Sequence, residues 1–282
     1  MPELPEVETT LRAIKKFKGS LLKEAKVHNR NLRWKVVDSF ETSVKEQVVE
    51  SLERRAKYII FKLSNDKKII LHLGMSGSLR IAKNNENFFI KHDHIELIFD
   101  EERIIYNDPR RFGSMHLTSD IDKHKLIKNL GPEPLSKNFN AKDFFSACNH
   151  SKTNIKSFLM NQKNVVGIGN IYASESLFLA KIHPLKNANE LDLDACKRLV
   201  AAGKKILEQA IEVGGTTLKD FYSADGSPGY FKFKLNVYGR EGEPCNKCKG
   251  TVCKTTVNQR ATFFVKLVRV KYLTSLEVPV LL

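Results

Sequence analysis

Apolar side chains recur at Val7, Leu11 and Ile14, the three-to-four-residue spacing of one helix face, and Gly19 closes the pattern. Pro2 and Pro5 suit the first turn of that helix. From Lys57 the period shortens to β-rich runs, Lys57–Leu63, Lys67–Leu73, Phe88–Phe99 and Arg103–Tyr106, the first two joined by the turn residues Ser64-Asn65-Asp66. Such a meander predicts a sandwich or barrel-like half. Leu130-Gly131-Pro132-Glu133-Pro134 interrupts the pattern where strands give way to helices, so the domain boundary is placed there. Beyond it Ile155–Asn161 and Asn170–Lys181 read as helices connected through the glycine-bearing Lys163–Gly169. Leu199, Ala202, Ile206, Ala210 and Val213 then mark a longer helix that stops at Gly214-Gly215. After Asp225-Gly226 the chain returns to β-like runs and turns. There is no internal repeat and no low-complexity tract.

At 282 residues the chain is long enough for two domains. Hydrophobic residues at 41% and charged residues at 28% exclude collagen, extended disorder and a membrane bundle. Lys plus Arg number 47 against 32 Asp plus Glu, and 47 − 32 = +15. An excess of that size points to a polyanionic partner. Met1 to Thr10 lack the basic start and apolar core of a secretory leader, and no later stretch is apolar for the length of a bilayer, so a cytoplasmic protein is expected. The five cysteines, Cys148, Cys196, Cys245, Cys248 and Cys253, are too few and too unevenly spaced for a disulfide framework. They fit a reduced compartment, with Cys245 and Cys248 as candidate metal ligands.

Initiator methionine is normally removed before a small residue, which would leave Pro2 with a free secondary amine. Attack of that amine on an aldehyde-level carbon, such as C1′ of a deoxyribose, gives a cationic iminium that serves as an electron sink for elimination. Glu3 and Glu6 lie on one helical face near the positive helix end, where either could protonate a departing sugar oxygen. Taken alone, these residues describe an ordinary helix start. Asn170 is expected to cap its helix, whose free N–H groups together with Lys156 would seat a phosphate; a plain capped helical hairpin accounts for the same residues. The loops His72-Leu73-Gly74-Met75-Ser76-Gly77 and Asp108-Pro109-Arg110-Arg111-Phe112-Gly113 each set an apolar wedge among donors, as enzymes that extrude a base require. By themselves Met75 and Phe112 read as core, and Lys57, His92, His94 and Lys152 as solvated or sheet-surface charges. Cys245-Asn246-Lys247-Cys248 is half of a structural zinc site. The second half is missing: Val265 and Val268 stand where a second pair is expected, and the spacing of Cys253 does not mirror the first pair.

Pro2-Glu3-Leu4-Pro5-Glu6-Val7-Glu8, the two loops, Gly167-Ile168-Gly169-Asn170-Ile171-Tyr172-Ala173, and Val237-Tyr238-Gly239-Arg240 with Cys245 and Cys248 together resemble the bacterial formamidopyrimidine-DNA glycosylase family, from residue 2 to about residue 264. The resemblance implies an α+β fold. An N-terminal catalytic β-sandwich with flanking helices would occupy 1–130, a linker 131–136, a helix–two-turn–helix domain 137–224 and a degenerate zinc-finger β-hairpin 225–270, before an atypical tail at 271–282. DNA would lie in the cleft between the domains. By the same resemblance Pro2 attacks C1′ of a damaged nucleotide, Glu3 donates a proton, Lys57 assists β-elimination while touching phosphate, and Arg260 serves δ-elimination and grips the lesion's phosphate. His72, in the first loop, is a candidate DNA-binding residue, and His92, Arg111 and Lys152 match DNA-contacting positions. Asn170 and Lys156 belong to the backbone grip, and Met75, Arg110 and Phe112 to a void-filling trio. The lesion-covering loop is placed around Thr216–Tyr230.

Leu4, together with the retained Met and Arg-Arg-Phe residues, favours oxidised purines over oxidised pyrimidines. The expected substrates are 8-oxoguanine opposite cytosine and formamidopyrimidines in duplex DNA, with excision followed by strand cleavage by a monomer needing no redox cofactor. Two alternatives stand beside this reading: an oxidised-pyrimidine glycosylase of the same superfamily, and a catalytically impaired damaged-DNA binding protein. The family resemblance implies zinc, which the missing second pair puts in question. Two readings of the altered end stand side by side: a genuine zinc-less hairpin held by strand pairing and apolar packing, or a reading-frame slip, since TTT TTT TGT AAA ACT TGT CAG AGT encodes Phe-Phe-Cys-Lys-Thr-Cys-Gln-Ser and without one T yields Phe-Phe-Val-Lys-Leu-Val-Arg-Val, the residues at Phe263–Val270. A hairpin of this size without metal is expected to be loose, with lower activity or stability.

Overall fold

The computed structural model describes residues 2–86, 89–214 and 234–266. They form two compact units, the first running to Asn129 and including the segment that starts at Ala210, the second from Leu130 to Gln209 and again from Lys234.

In chain order the first unit carries α1 (Leu4–Ile14), β1 (Leu21–Leu22), β2 (Glu24–Val27), α2 (Phe40–Val44), β3 (Gln47–Arg55), β4 (Tyr58–Leu63), β5 (Lys68–His72), β6 (Ser78–Lys83), β7 (Asp93–Ile98), β8 (Glu102–Asn107) and β9 (Ser114–Thr118). One sheet has the order β1-β3-β4-β5-β9 and the other β2-β7-β8-β6, with antiparallel pairing throughout. Ile59, Phe61, Leu63, Ile69 and Leu71 of the first sheet share one core with Leu79, Ile95, Leu97, Ile104 and Tyr106 of the second. This is the expected sandwich. Val7, Leu11 and Ile14 of α1 enter the same core, so the helical spacing read from the sequence is a burial pattern.

In the second unit α3 (Ala141–Asn149), α4 (Ile155–Met160), α5 (Asn170–Leu179) and all but the last residues of α6 (Leu193–Glu212) precede the hairpin of β10 (Val252–Val257) and β11 (Arg260–Val265). Asn140 caps α3 by accepting the Asp143 N–H at 3.0 Å, and Asn154 caps α4 by accepting from Ser157 at 2.9 Å. Between α4 and α5 the carboxamide of Gln162 accepts the Gly167 N–H at 2.9 Å and donates to the Ile168 carbonyl at 3.3 Å, fixing the glycine-bearing connection from inside. No helix among the described residues is long and apolar enough to cross a membrane.

Five strands lie outside the β-rich runs of the sequence: β1, β2, β3, β6 and β9. Gln47–Arg55 alternates charge with only Val49 and Leu52 buried, so its pattern is too polar to stand out, although it forms the rung beside β4. The Phe88–Phe99 run shrinks to Asp93–Ile98, preceded by a turn in which His92 takes a φ of 75°. Phe61 is fully buried between the sheets. Phe61→Ala is expected to cost roughly 3–5 kcal/mol of stability, read as a lowered midpoint in urea with an unchanged m-value.

Candidate active site

In the first unit a free energy constraint at the helix start sets the geometry. The first N–H groups of α1 have no helical partners, and Glu3, the N-cap residue, and Glu6 satisfy two of them reciprocally. The Glu3 carboxylate accepts the Glu6 N–H, and Glu6 Oε2 accepts the Glu3 N–H at 2.9 Å. Both side chains are buried, as is Pro2. Pro2, the residue expected to react, directly precedes this capped turn, and Glu6 is the group that orients Glu3. Met1 lies outside the described residues.

Lys57 occupies the two-residue turn between β3 and β4, closed by the Arg55–Tyr58 pair and helped by Ala56 at a φ of 54°. α1 packs on these same two strands. Lys57 is itself largely buried. Its charge is felt by His72: burial, then the ammonium of Lys57 and the guanidinium of Arg33, pull the imidazole down to about 4. His72 therefore stays neutral at physiological pH, and its Nδ1 accepts the Gly74 N–H at 3.1 Å.

The loops at 72–77 and 108–113 are locked to each other. A Cβ on Gly74 would strike the backbone of Phe112 and Gly113, and one on Gly113 would strike the Tyr106 hydroxyl. Asp108 ties them together. Fully buried, it accepts from Ser76 Oγ at 2.6 Å and the Arg110 N–H at 3.2 Å on Oδ1, and from Tyr106 Oη at 3.0 Å and the Gly113 N–H at 2.8 Å on Oδ2. His94 Nε2 lies 2.8 Å from the Asp108 carbonyl, which makes His94 a buried structural residue rather than a surface charge. Held this way, the loops push Met75 and Phe112 into solvent at 41% and 43% exposure, with the Arg110 guanidinium 4.6 Å over the Phe112 ring. Neither is a core residue. Arg111 is exposed in the left-handed region at a φ of 56°, and His92 is half-buried with its carbonyl accepting the Asp108 N–H.

In the second unit two expectations change. Gly169, not Asn170, caps α5; Asn170 is its first helical residue. Its Nδ2 donates to the Ala261 carbonyl at 3.0 Å and to Tyr238 Oη at 3.3 Å, so its amide reaches the hairpin instead of its own helix end. Lys156 is likewise no free phosphate seat. It is 1% exposed, and its Nζ donates to the Ala261 carbonyl at 3.0 Å and Thr262 Oγ1 at 2.7 Å. A buried ammonium requires such partners. Lys152 remains exposed. Arg260 is exposed at the start of β11, beside a pocket of about 280 Å³ lined by Lys156, Ser157, Asn161 and Asn258.

The zinc site that the hairpin resembles is not built by these residues. Cys245 and Cys248 lie on one turn, where their sulfurs accept N–H groups from Lys247 and Gly250 at 3.3 Å. Val265 pairs with Val252 and packs fully buried with Cys245, Val237 and Phe263. Cys253 is one residue out of phase with Val252, so it faces the other side of the ribbon. Two thiols are half of what zinc needs. Among the described residues no three His, Cys, Asp or Glu side chains cluster to hold a metal. Val268, the tail at 271–282 and the proposed lesion loop at 216–230 lie outside the described residues.

Sequence reasoning missed Asp108 as the organiser of the wedge loops, Glu175, whose carboxylate accepts from Asn236, Val237 and Tyr238, and Thr262 as a partner of Lys156. The one available signal was an acid or hydroxyl within an otherwise apolar or glycine-rich run, which burial then makes a hub.

Residues 1–115 match the formamidopyrimidine-DNA glycosylase N-terminal domain, and residues 130–222 its H2TH domain. The chain is 49% identical over 267 residues to the formamidopyrimidine-DNA glycosylase of Hydrogenovibrio crunogenus, covering 94% of this chain and 95% of that protein. It is 48% identical over 268 residues to that of Escherichia coli, covering 94% and 98%. Among solved structures, Lactococcus lactis Fpg in complex with DNA containing an abasic site superposes with a TM-score of 0.87 at 35% identity, over 95% of this chain and 99% of that one. A mutant of the same protein with Fapy-dG DNA gives 0.88.

Two outcomes follow from the buried groups. Asp108→Ala leaves four donors facing an apolar methyl and is expected to cost about 3 kcal/mol or more, measured by urea denaturation. His72 and His116 both titrate near 4 in the folded chain, through burial first, against about 6.5 unfolded. The unfolded chain therefore binds more protons in that window, so their contribution to stability is complete above pH 6.5 and is lost as pH falls toward 4. His72→Asn is expected to shallow that slope in melting temperature against pH.

Proposed function

This chain belongs to the formamidopyrimidine-DNA glycosylase family and is a DNA glycosylase of base excision repair acting on damaged DNA, and we propose that it removes oxidised purines through an imine on Pro2 and then cuts the strand. The lone pair of the Pro2 nitrogen, freed by loss of Met1, forms a bond to C1′ as the bond from C1′ to the base breaks. The base leaves with that electron pair and is protonated. The attacking nitrogen gives up its N–H proton to the Glu3 carboxylate, Glu3 passes that proton to the sugar ring oxygen, and the nitrogen lone pair opens the ring to the iminium. The iminium acidifies C2′–H; loss of that proton expels the 3′-phosphate, with Lys57 beside the phosphate. A second elimination expels the 5′-phosphate, where Arg260 is the cation. Water then hydrolyses the iminium and restores the amine.

The capping bonds with Glu6 hold Glu3 in the position next to Pro2, which supports pairing the two as proton carrier and nucleophile. Electron pairs move throughout and no redox cofactor is called for. The family generally binds zinc, and no step above passes through a metal. In this reading His72 stays a neutral, structural member of the first loop, while His92, Arg111, Lys152, Asn170 and Lys156 serve the DNA contact directly or by holding what makes it. A monomer working in the cytoplasm suffices.

The observation that carries the reading is the exposed trio of Met75, Arg110 and Phe112 on loops anchored by a buried carboxylate. Two large apolar side chains held in water by an expensive buried anion are explained by a gap in a base stack that they fill. Leu4 in the opening Pro-Glu-Leu, with the Arg-Arg-Phe loop, favours the purine over the pyrimidine reading.

Borohydride reduction during turnover on a duplex carrying 8-oxoguanine opposite cytosine is expected to trap a covalent adduct that mass spectrometry maps to Pro2. The same duplex should be cut faster than one carrying dihydrouracil. Binding of abasic DNA with no adduct would leave only a damaged-DNA binding protein.

A further inference from the structure

We propose that this chain holds its C-terminal hairpin without a metal, and that Glu175 is the positioning residue that fixes the hairpin in place of an ion. Glu175 sits on α5 and is fully buried. Its Oε1 accepts the N–H groups of Val237 at 2.8 Å and Tyr238 at 2.9 Å, and its Oε2 accepts the N–H and Nδ2 of Asn236, both at 2.9 Å. Three consecutive backbone amides converging on one carboxylate set the direction in which the chain enters the hairpin, as ligand bonds to an ion would.

From that point the contacts run on without a break. Arg240 donates to the Asn236 carbonyl at 2.6 Å and the Pro244 carbonyl at 3.0 Å, bracing the turn that bears Cys245. The Tyr238 ring meets Phe263 edge-on at 5.0 Å, and its hydroxyl meets Asn170. Lys156 and Asn170 hold the Ala261 carbonyl, and Asn258 Nδ2 donates to Ser157 Oγ at 2.9 Å at the hairpin's tip. Arg260 is thus fixed from both sides of a two-residue turn. The place next to the two thiols is filled by Val265, Val252 and Phe263. From Lys266 to the last residue the sequence has no Cys or His to complete a tetrahedral set. A metal-free hairpin is therefore not a loose one here: a buried anion on one side, a buried cation on the other and an apolar plug do the holding.

The metal part of this inference stands apart from the proposed reaction; the effect on Arg260 rests on it. The full chain, grown with added zinc and purified without chelator, is expected to carry less than about a tenth of a zinc per molecule by plasma mass spectrometry, and 1,10-phenanthroline should leave its melting temperature unchanged. Glu175→Gln sets an amide N–H against backbone N–H groups. It is expected to open the region 236–266 to limited proteolysis while the first unit stays resistant, and to raise KM for an abasic duplex about tenfold with a smaller change in kcat. Glu175→Ala should do the same more strongly. A full equivalent of zinc whose removal lowers the melting temperature overturns the proposal, as do Gln and Ala variants as protease-resistant as the parent. Metal content and proteolysis are read without DNA, so they remain decisive even if no adduct forms at Pro2.

Discussion

A carboxylate removed from water must be met by donors, and here the donors are backbone N–H groups of segments that have no regular partners of their own. Glu3 and Glu6 meet the open end of α1, Asp108 meets two crossed loops, and Glu175 meets the entry to the hairpin. In each case the cost of burying charge is offset by bonds that would otherwise be orphaned. The segments so held carry the groups assigned to the chemistry: Pro2 beside Glu3, Met75 and Phe112 beside Asp108, Arg260 on the hairpin beyond Glu175. Precision in irregular backbone is obtained without adding to either core.

The repeating patterns were legible and the hubs were not. Val7, Leu11 and Ile14 announced α1 because a helix face buried on one side leaves a period in the sequence. The strands with buried faces, such as Tyr58–Leu63, announced themselves for the same reason, whereas Gln47–Arg55, half charged and at the side of a stronger strand, did not. Lys156 read as a phosphate ligand because sequence shows a cation and not its partners, and Ala261 and Thr262 lie more than a hundred residues away. The sequence places the cap at Asn170, one position late, since a cap is defined by a backbone angle that Gly169, and not the asparagine, adopts.

Met75 and Phe112 illustrate the converse. Alone, their side chains argue for a core, and only the Gly-rich, acid-bearing context around them makes exposure affordable. Gly74 and Gly113 let two backbones approach where any Cβ would collide, and Asp108 supplies the acceptors that the crossing needs. The motif is therefore a packing device first, and its wedge is what remains outside the packing.

The bonds of Glu175 span 61 to 63 residues of sequence. In a chain made from the N-terminus α5 precedes Asn236, so this carboxylate lacks its backbone donors until those residues follow. Docking of the segment at Asn236–Tyr238 therefore follows the synthesis of α5 by about sixty residues and bears the entropy of closing that loop.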